Sequence, residues 1–177
     1  MEELMKELIE KFINIAKETG YSIKSESVEY EKLKPPHGPN TNTKPKHNLA
    51  TSNKGAIYVF CSSDNNDCLK VGVAGPGSHN RLWYQHYNEN GANSTLAASI
   101  RLDNKSVIGS CTPGKWVKTK TIRHIFYVDY ENKNDLEKYL LPFFEKLAAL
   151  KLKPKYEGVK NRKKTSAIDK ALDDLVG

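Results

Sequence analysis

Apolar residues mark the chain out in two rhythms. Leu4, Met5, Leu8, Ile9, Phe12, Ile15 and Ala16 recur at helical spacing, and Gly20 is placed to end the run. This predicts an amphipathic helix over 3–19, packed on the domain or on a second subunit. Residues 21–33 are mixed, with an extended reading open. Residues 35–48 are rich in Pro and Asn and carry Lys44, Lys46 and His47; they read as a linker, with a basic arm on DNA as the alternative.

The rhythm then changes. GAIYVFC (55–61) and LKVGVA (69–74) are short and β-rich, separated by an Asp- and Asn-rich turn, and predict a hairpin. A helix is expected from His79 to about Tyr87, and a short one over 96–102 capped by Ser94. Residues 103–120 read as loop, carrying Lys115, Trp116, Lys118 and Lys120. IRHIFYVDY (122–130) alternates as a further strand. Residues 135–151 are helical in pattern, with Asn134 as cap and Pro142 expected to kink or restart the helix. A basic stretch over 151–164 and a closing helix from Ser166 follow.

This order predicts an α+β fold: a small, mainly antiparallel sheet flanked by helices, with an N-terminal helical arm. The expected organisation is an N-terminal helix and linker (1–54), a core (55–157) and a basic tail (158–177).

Composition narrows the function. The 177 residues include 38% hydrophobic and 28% charged positions, ordinary for a globular domain. Net charge is +7 with a pI near 9.2, which suits a polyanionic partner, because Lys and Arg laid on phosphates release counterions. A solvated basic surface is the bland alternative. Cys61, Cys68 and Cys111 have neither even number nor metal-ligand spacing, so reduced thiols in a cytoplasmic protein are expected. No signal peptide and no membrane-spanning run is read.

The candidate chemistry lies in the order of a few polar residues. Tyr58 lies on the first strand of the hairpin, and Lys70-Val71-Gly72 on the second, twelve positions on. Arg81 and His86 belong to the next helix. A glutamate, Glu145 or Glu137, lies on a late helix before Leu152-Lys153-Pro154. This order resembles the GIY-YIG nuclease family, with Gly55-Ala56-Ile57-Tyr58 as the first element and Lys70-Val71-Gly72 as the second. The resemblance covers about residues 55–157. Two positions depart from the family pattern: Lys70 replaces the second tyrosine, as in some restriction enzymes of the family, and Glu157 stands where a late asparagine is usual.

The resemblance implies a metal-dependent endonuclease, DNA ahead of RNA as substrate, with a restriction or phage-defence role among those open. It implies one divalent ion, Mg²⁺ or Mn²⁺, on Glu145, whose spacing to Glu157 fits the family better than that of Glu137. Glu137 and Glu145 would point about 80° apart on a straight helix, so they are not expected to share a site. Tyr58 would be the general base, helped by the Lys70 charge. Arg81 would neutralise charge on the phosphoryl oxygens, and His86 would orient water or contact phosphate. A core tyrosine and a surface histidine are the alternatives for Tyr58 and His86. Gly72 reads as structural. Trp83, Tyr84 and Tyr87 read as core, with base stacking open to one of them. Lys118, Lys153, Lys155, Arg162 and Lys163 are candidate nucleic-acid contacts, and a homodimer is open. A non-catalytic nucleic-acid-binding module and an RNA-directed nuclease are the other readings.

Overall fold

The computed structural model describes residues 1–20, 28–90, 95–103, 108–129 and 139–156. Expectations placed on Ser94, Asn134, Glu137, Glu157, Arg162, Lys163 and the closing helix lie outside the described residues.

Four strands form one antiparallel sheet among the described residues: β1 (Val28–Leu33), β2 (Lys54–Ser62), β3 (Cys68–Ala74) and β4 (Thr121–Asp129). Their spatial order is β1-β4-β2-β3. The expected hairpin is β2–β3, with Tyr58 opposite Gly72 and Phe60 opposite Lys70. β1 pairs with β4, from Val28 opposite Val128 to Leu33 opposite Arg123. The extended reading of 21–33 therefore holds over 28–33.

Because side chains alternate across a strand, β2 and β4 feed two different cores. Ile57, Val59, Cys61, Phe126 and Val128 face one side, where α1 (Glu2–Glu18) and α5 (Leu141–Leu152) cover them. Met5, Leu8, Ile9, Phe12, Ile13 and Ala16 of α1 are buried there, and Phe12 meets Phe144 edge to face at 4.8 Å. The N-terminal helix is thus a layer of the core. Pro142 sits in the first turn of α5, where proline is favoured.

Tyr58, Phe60, Ile125 and Tyr127 face the other side. They are covered by α2 (His79–Trp83), a 3-10 turn over Gln85–Tyr87, α3 (Leu96–Asp103) and α4 (Pro113–Lys120). The last of these corrects the loop expected over 103–120. Thr112 caps it by accepting from the Lys115 N–H, and Pro113 takes the first helical position. α3 is opened by Thr95, whose hydroxyl accepts from the Ala98 N–H at 3.2 Å.

The polar stretch 35–48 is bound to the fold. His37 is fully buried, with Nε2 donating to the Thr121 carbonyl at 2.8 Å. Its Nδ1 therefore accepts from the Tyr87 hydroxyl at 2.7 Å. Glu29 of β1 binds Lys46, His47 and Lys54, and Glu31 accepts from the Lys46 backbone N–H and the Tyr127 hydroxyl. No described helix is long and apolar enough to cross a membrane.

Candidate active site

Tyr58 projects from the middle of β2 into the second core and is fully buried. Its ring lies over Gly72 of β3. A Cβ at that glycine would stand 2.5 Å from the Tyr58 Oη and 2.6 Å from its Cε2 and Cζ. The glycine of the second motif is therefore a seat for the tyrosine of the first. Gly72→Ala is expected to push the ring aside at a cost of about 1–3 kcal/mol, as overpacking of a tight core does. A melt followed by circular dichroism should show a drop of about 3–10 °C. An unchanged melting temperature would mean the ring has room that the geometry denies it.

His86 closes on Tyr58 from the 3-10 turn, with Nε2 2.6 Å from the Tyr58 Oη. Its Nδ1 accepts from the Leu96 backbone N–H at 3.2 Å. A neutral imidazole with an accepting Nδ1 carries its proton on Nε2, so His86 donates to the phenol oxygen. Burial, followed by the charges of Arg123, Lys70 and Arg81, holds the His86 imidazole well below its ordinary range, which keeps it neutral. Both nitrogens are engaged in the interior. His86 thus acts on the Tyr58 hydroxyl; it is neither a surface histidine nor placed to touch phosphate directly.

Three further charges converge on that hydroxyl. Burial is the largest influence and leaves its ionisation above the ordinary value, the Arg81 and Arg123 guanidiniums drawing it down and the Glu145 carboxylate pushing it up. Arg81 is exposed on α2. Burial works against its charge, but Tyr58 and Glu145 outweigh this and hold it above its ordinary value. Glu145 is half-buried on α5, which packs against β3, the edge strand. The structure thus brings Tyr58, Arg81, His86 and Glu145 into one electrostatic group, although they come from both faces of the sheet.

Lys70 is buried beside this group, and its Nζ donates to the Tyr156 carbonyl at 3.1 Å. The backbone N–H groups of Lys155 and Tyr156 donate to the carbonyls of Cys68 and Leu69. Lys70 therefore helps to fasten the turn after α5 to β3, and its charge bears on His86.

The remaining cationic candidates are dispersed. Lys118 donates to the Pro39 carbonyl at 2.7 Å, holding the 35–48 stretch. Lys155 pairs with Asp103 at 3.0 Å, and Lys153 is exposed at the left-handed end of α5. Of the three aromatics around Arg81, Trp83 and Tyr87 are buried, while Tyr84 is half exposed. Tyr84 lines an open cavity of about 760 Å³ with Asn80, Gln85, Asn88, Tyr87, Pro39 and Lys118.

One residue at the centre was not anticipated. Arg123 of β4 is fully buried, its guanidinium carbon 4.9 Å from the Tyr58 ring centroid and 4.7 Å from that of Phe60. Its place in the alternation, in step with Ile125 and Tyr127, was the signal that it points inward.

For a metal, the donor set is sparse. No group of three or more His, Cys, Asp or Glu side chains comes together among the described residues. A lone carboxylate fits a hard ion such as Mg²⁺, which keeps water ligands and takes phosphate oxygens from its substrate. Set against models of protein families, curated proteins and solved structures, the chain matches none of them.

Proposed function

We propose that this protein is a metal-dependent endonuclease of the GIY-YIG type that hydrolyses phosphodiester bonds in DNA. The observation that carries the reading is the Tyr58 hydroxyl, bonded to a neutral His86 N–H and set among Arg81, Arg123 and Glu145. A tyrosine serves as general base only as phenolate. The imidazole N–H and the two guanidiniums each favour that form, against the burial that leaves the Tyr58 ionisation above its ordinary value. The phenolate takes a proton from water as the water oxygen attacks phosphorus, and the P–O3′ bond breaks. Arg81, exposed at the surface of the site, neutralises charge growing on the phosphoryl oxygens. Glu145 is the carboxylate that would hold Mg²⁺ or Mn²⁺, which supplies charge stabilisation for the phosphate and the leaving oxygen. One such site cuts one strand, so double-strand cleavage calls for two copies of the chain.

A second reading, a non-catalytic nucleic-acid-binding module, is favoured by the complete burial of Tyr58. Supercoiled plasmid separates the two. Wild type with Mg²⁺ should nick or linearise it, and EDTA should stop the reaction. Glu145→Gln should slow conversion by about 100-fold or more, the equivalent of about 2.7 kcal/mol of transition-state stabilisation. Wild type that spares plasmid, single strands and RNA alike hands the case to the binding module. RNA cut in preference to DNA would reassign the substrate.

A further inference from the structure

Arg123 is out of place by ordinary rules. A buried guanidinium is normally matched by a carboxylate or a full set of acceptors, because an unpaired interior charge is costly. Here the guanidinium makes a single long bond among the described residues, from Nη1 to the Tyr87 hydroxyl at 3.5 Å. Nε and Nη2 have no partner among the described residues. Tyr87 cannot swing closer. Its ring is wedged against Gly38, where a Cβ would stand 2.5 Å from it, and its backbone carbonyl is pressed on Gly114. Its own proton goes to His37, itself held to the Thr121 carbonyl.

What Arg123 does have is aromatic faces. It lies over Tyr58 and Phe60, within the range where a cation is attracted to a ring. With Phe60 that attraction is fixed. With Tyr58 it changes with the state of the hydroxyl. A neutral phenol offers only its quadrupole, whereas a phenolate spreads a full negative charge into the ring beneath the guanidinium. In a dry interior the difference is large.

We infer that Arg123 is the buried counter-cation of Tyr58: a positioning residue whose unmet charge favours the phenolate that the proposed reaction needs. The groups acting on Tyr58 from each element around it are His86 of the 3-10 turn, Arg81 of α2, Glu145 of α5 and Arg123 of β4. Lys70 of β3 acts through His86. Of the two arginines, Arg81 is exposed on α2 and hydrogen-bonds the Tyr58 hydroxyl, while Arg123 is fully buried over its ring. His37, His79 and His86 all lie in the field of Arg123, and each is held below its ordinary range, burial being the larger cause. They stay neutral and leave Arg123 and Lys70 as the buried cations around Tyr58. The effect on rate rests on the nuclease reading; the coupling between Arg123 and Tyr58 does not.

The test uses the full chain and two kinds of measurement. In the first, tyrosine labelled with ¹³C at Cζ reports Tyr58 ionisation, assigned with Tyr58→Phe. The side-chain ¹⁵N signals of Arg123, assigned with Arg123→Lys, are followed over the same pH range. The Arg123 signals should move in step with Tyr58 in wild type and lie flat in Tyr58→Phe. In the second, Arg123→Met should raise the Tyr58 ionisation by about one pH unit or more, while Arg123→Lys, which keeps the charge, stays nearer wild type. The pH–rate profile of plasmid cleavage should shift upward in Arg123→Met alone. If Arg123→Met does not fold, the wild-type and Tyr58→Phe titrations still decide. Arg123 signals that ignore Tyr58, or a Tyr58 that ionises in Arg123→Met at the same pH as in wild type, overturn the inference. Coupled titration in a protein that cuts nothing sinks the nuclease reading alone. Cleavage with uncoupled titration sinks this inference alone.

Discussion

Tyr58→Phe should leave the protein folded and cut its cleavage rate by about 10³-fold, in the range that removing a general base costs. The ring that packs over Gly72 and beside Phe60 is preserved, so the core keeps its shape. Only the oxygen is lost. That leaves the His86 Nε2–H without its acceptor in the interior, at a cost of about 1–3 kcal/mol. A melt should therefore register a modest loss, while single-turnover nicking registers a far larger one. The disparity is the point of the experiment. A structural tyrosine would lose activity only in proportion to the unfolded fraction. If Tyr58→Phe nicks plasmid at the wild-type rate, Tyr58 is not the base and the mechanism fails at its first step.

The second large effect is on stability in acid. Burial, aided by Arg123 and opposed by the Thr121 carbonyl, lowers His37 to about 4 in the folded protein. Burial, then Lys32 and the amino terminus, lowers His124 to about 4 as well. Their unfolded value is 6.5. Between 6.5 and 4 the unfolded chain binds protons that the folded one refuses, so stability rises with pH across that window. The contribution is complete above 6.5 and is lost as pH falls toward 4. At 1.36 kcal/mol per unit, each histidine accounts for on the order of 3 kcal/mol. Two together rival the total stability of many domains. Melts taken from pH 7.5 to pH 4 should fall steeply below 6.5. His124→Gln, which can still hydrogen-bond the Tyr30 hydroxyl, should make the fall shallower. A melting temperature flat from 6.5 to 4.5 would contradict the burial of both rings.

The parts legible from the sequence are those whose pattern serves one purpose. β2, β3 and β4 alternate cleanly or run apolar throughout, and their boundaries emerge within a residue or two. The α1 stripe is equally plain, although its packing partner was not. α4 was hidden because it opens with Pro-Gly and carries Lys115, Lys118 and Lys120, which together read as loop. The Thr112 cap and Pro113 were the signal. His37 was hidden among Pro, Asn and Lys, where no periodicity marks a buried position. Among the site residues, Tyr58 and Gly72 could be named as a pair of motifs, but that one seats the other is a fact of register. Arg123 was passed over because a charged residue in an alternating strand ordinarily marks the wet face. Here both faces of β4 are dry.

The order of these pieces along the chain has its own consequence. Tyr58, Gly72, Arg81 and His86 lie within one continuous stretch, on a hairpin and the helix after it, whereas Arg123 and Glu145 arrive much later. β1 must wait for β4, since Val28 pairs with Val128. During synthesis, the hairpin can therefore close before its cation and its carboxylate have left the ribosome. A growing chain that stops before α5 possesses the proposed base yet lacks the group proposed to hold the ion. By this reckoning an unfinished copy could not perform the proposed cleavage, and any harm from it would be withheld until α5 docks.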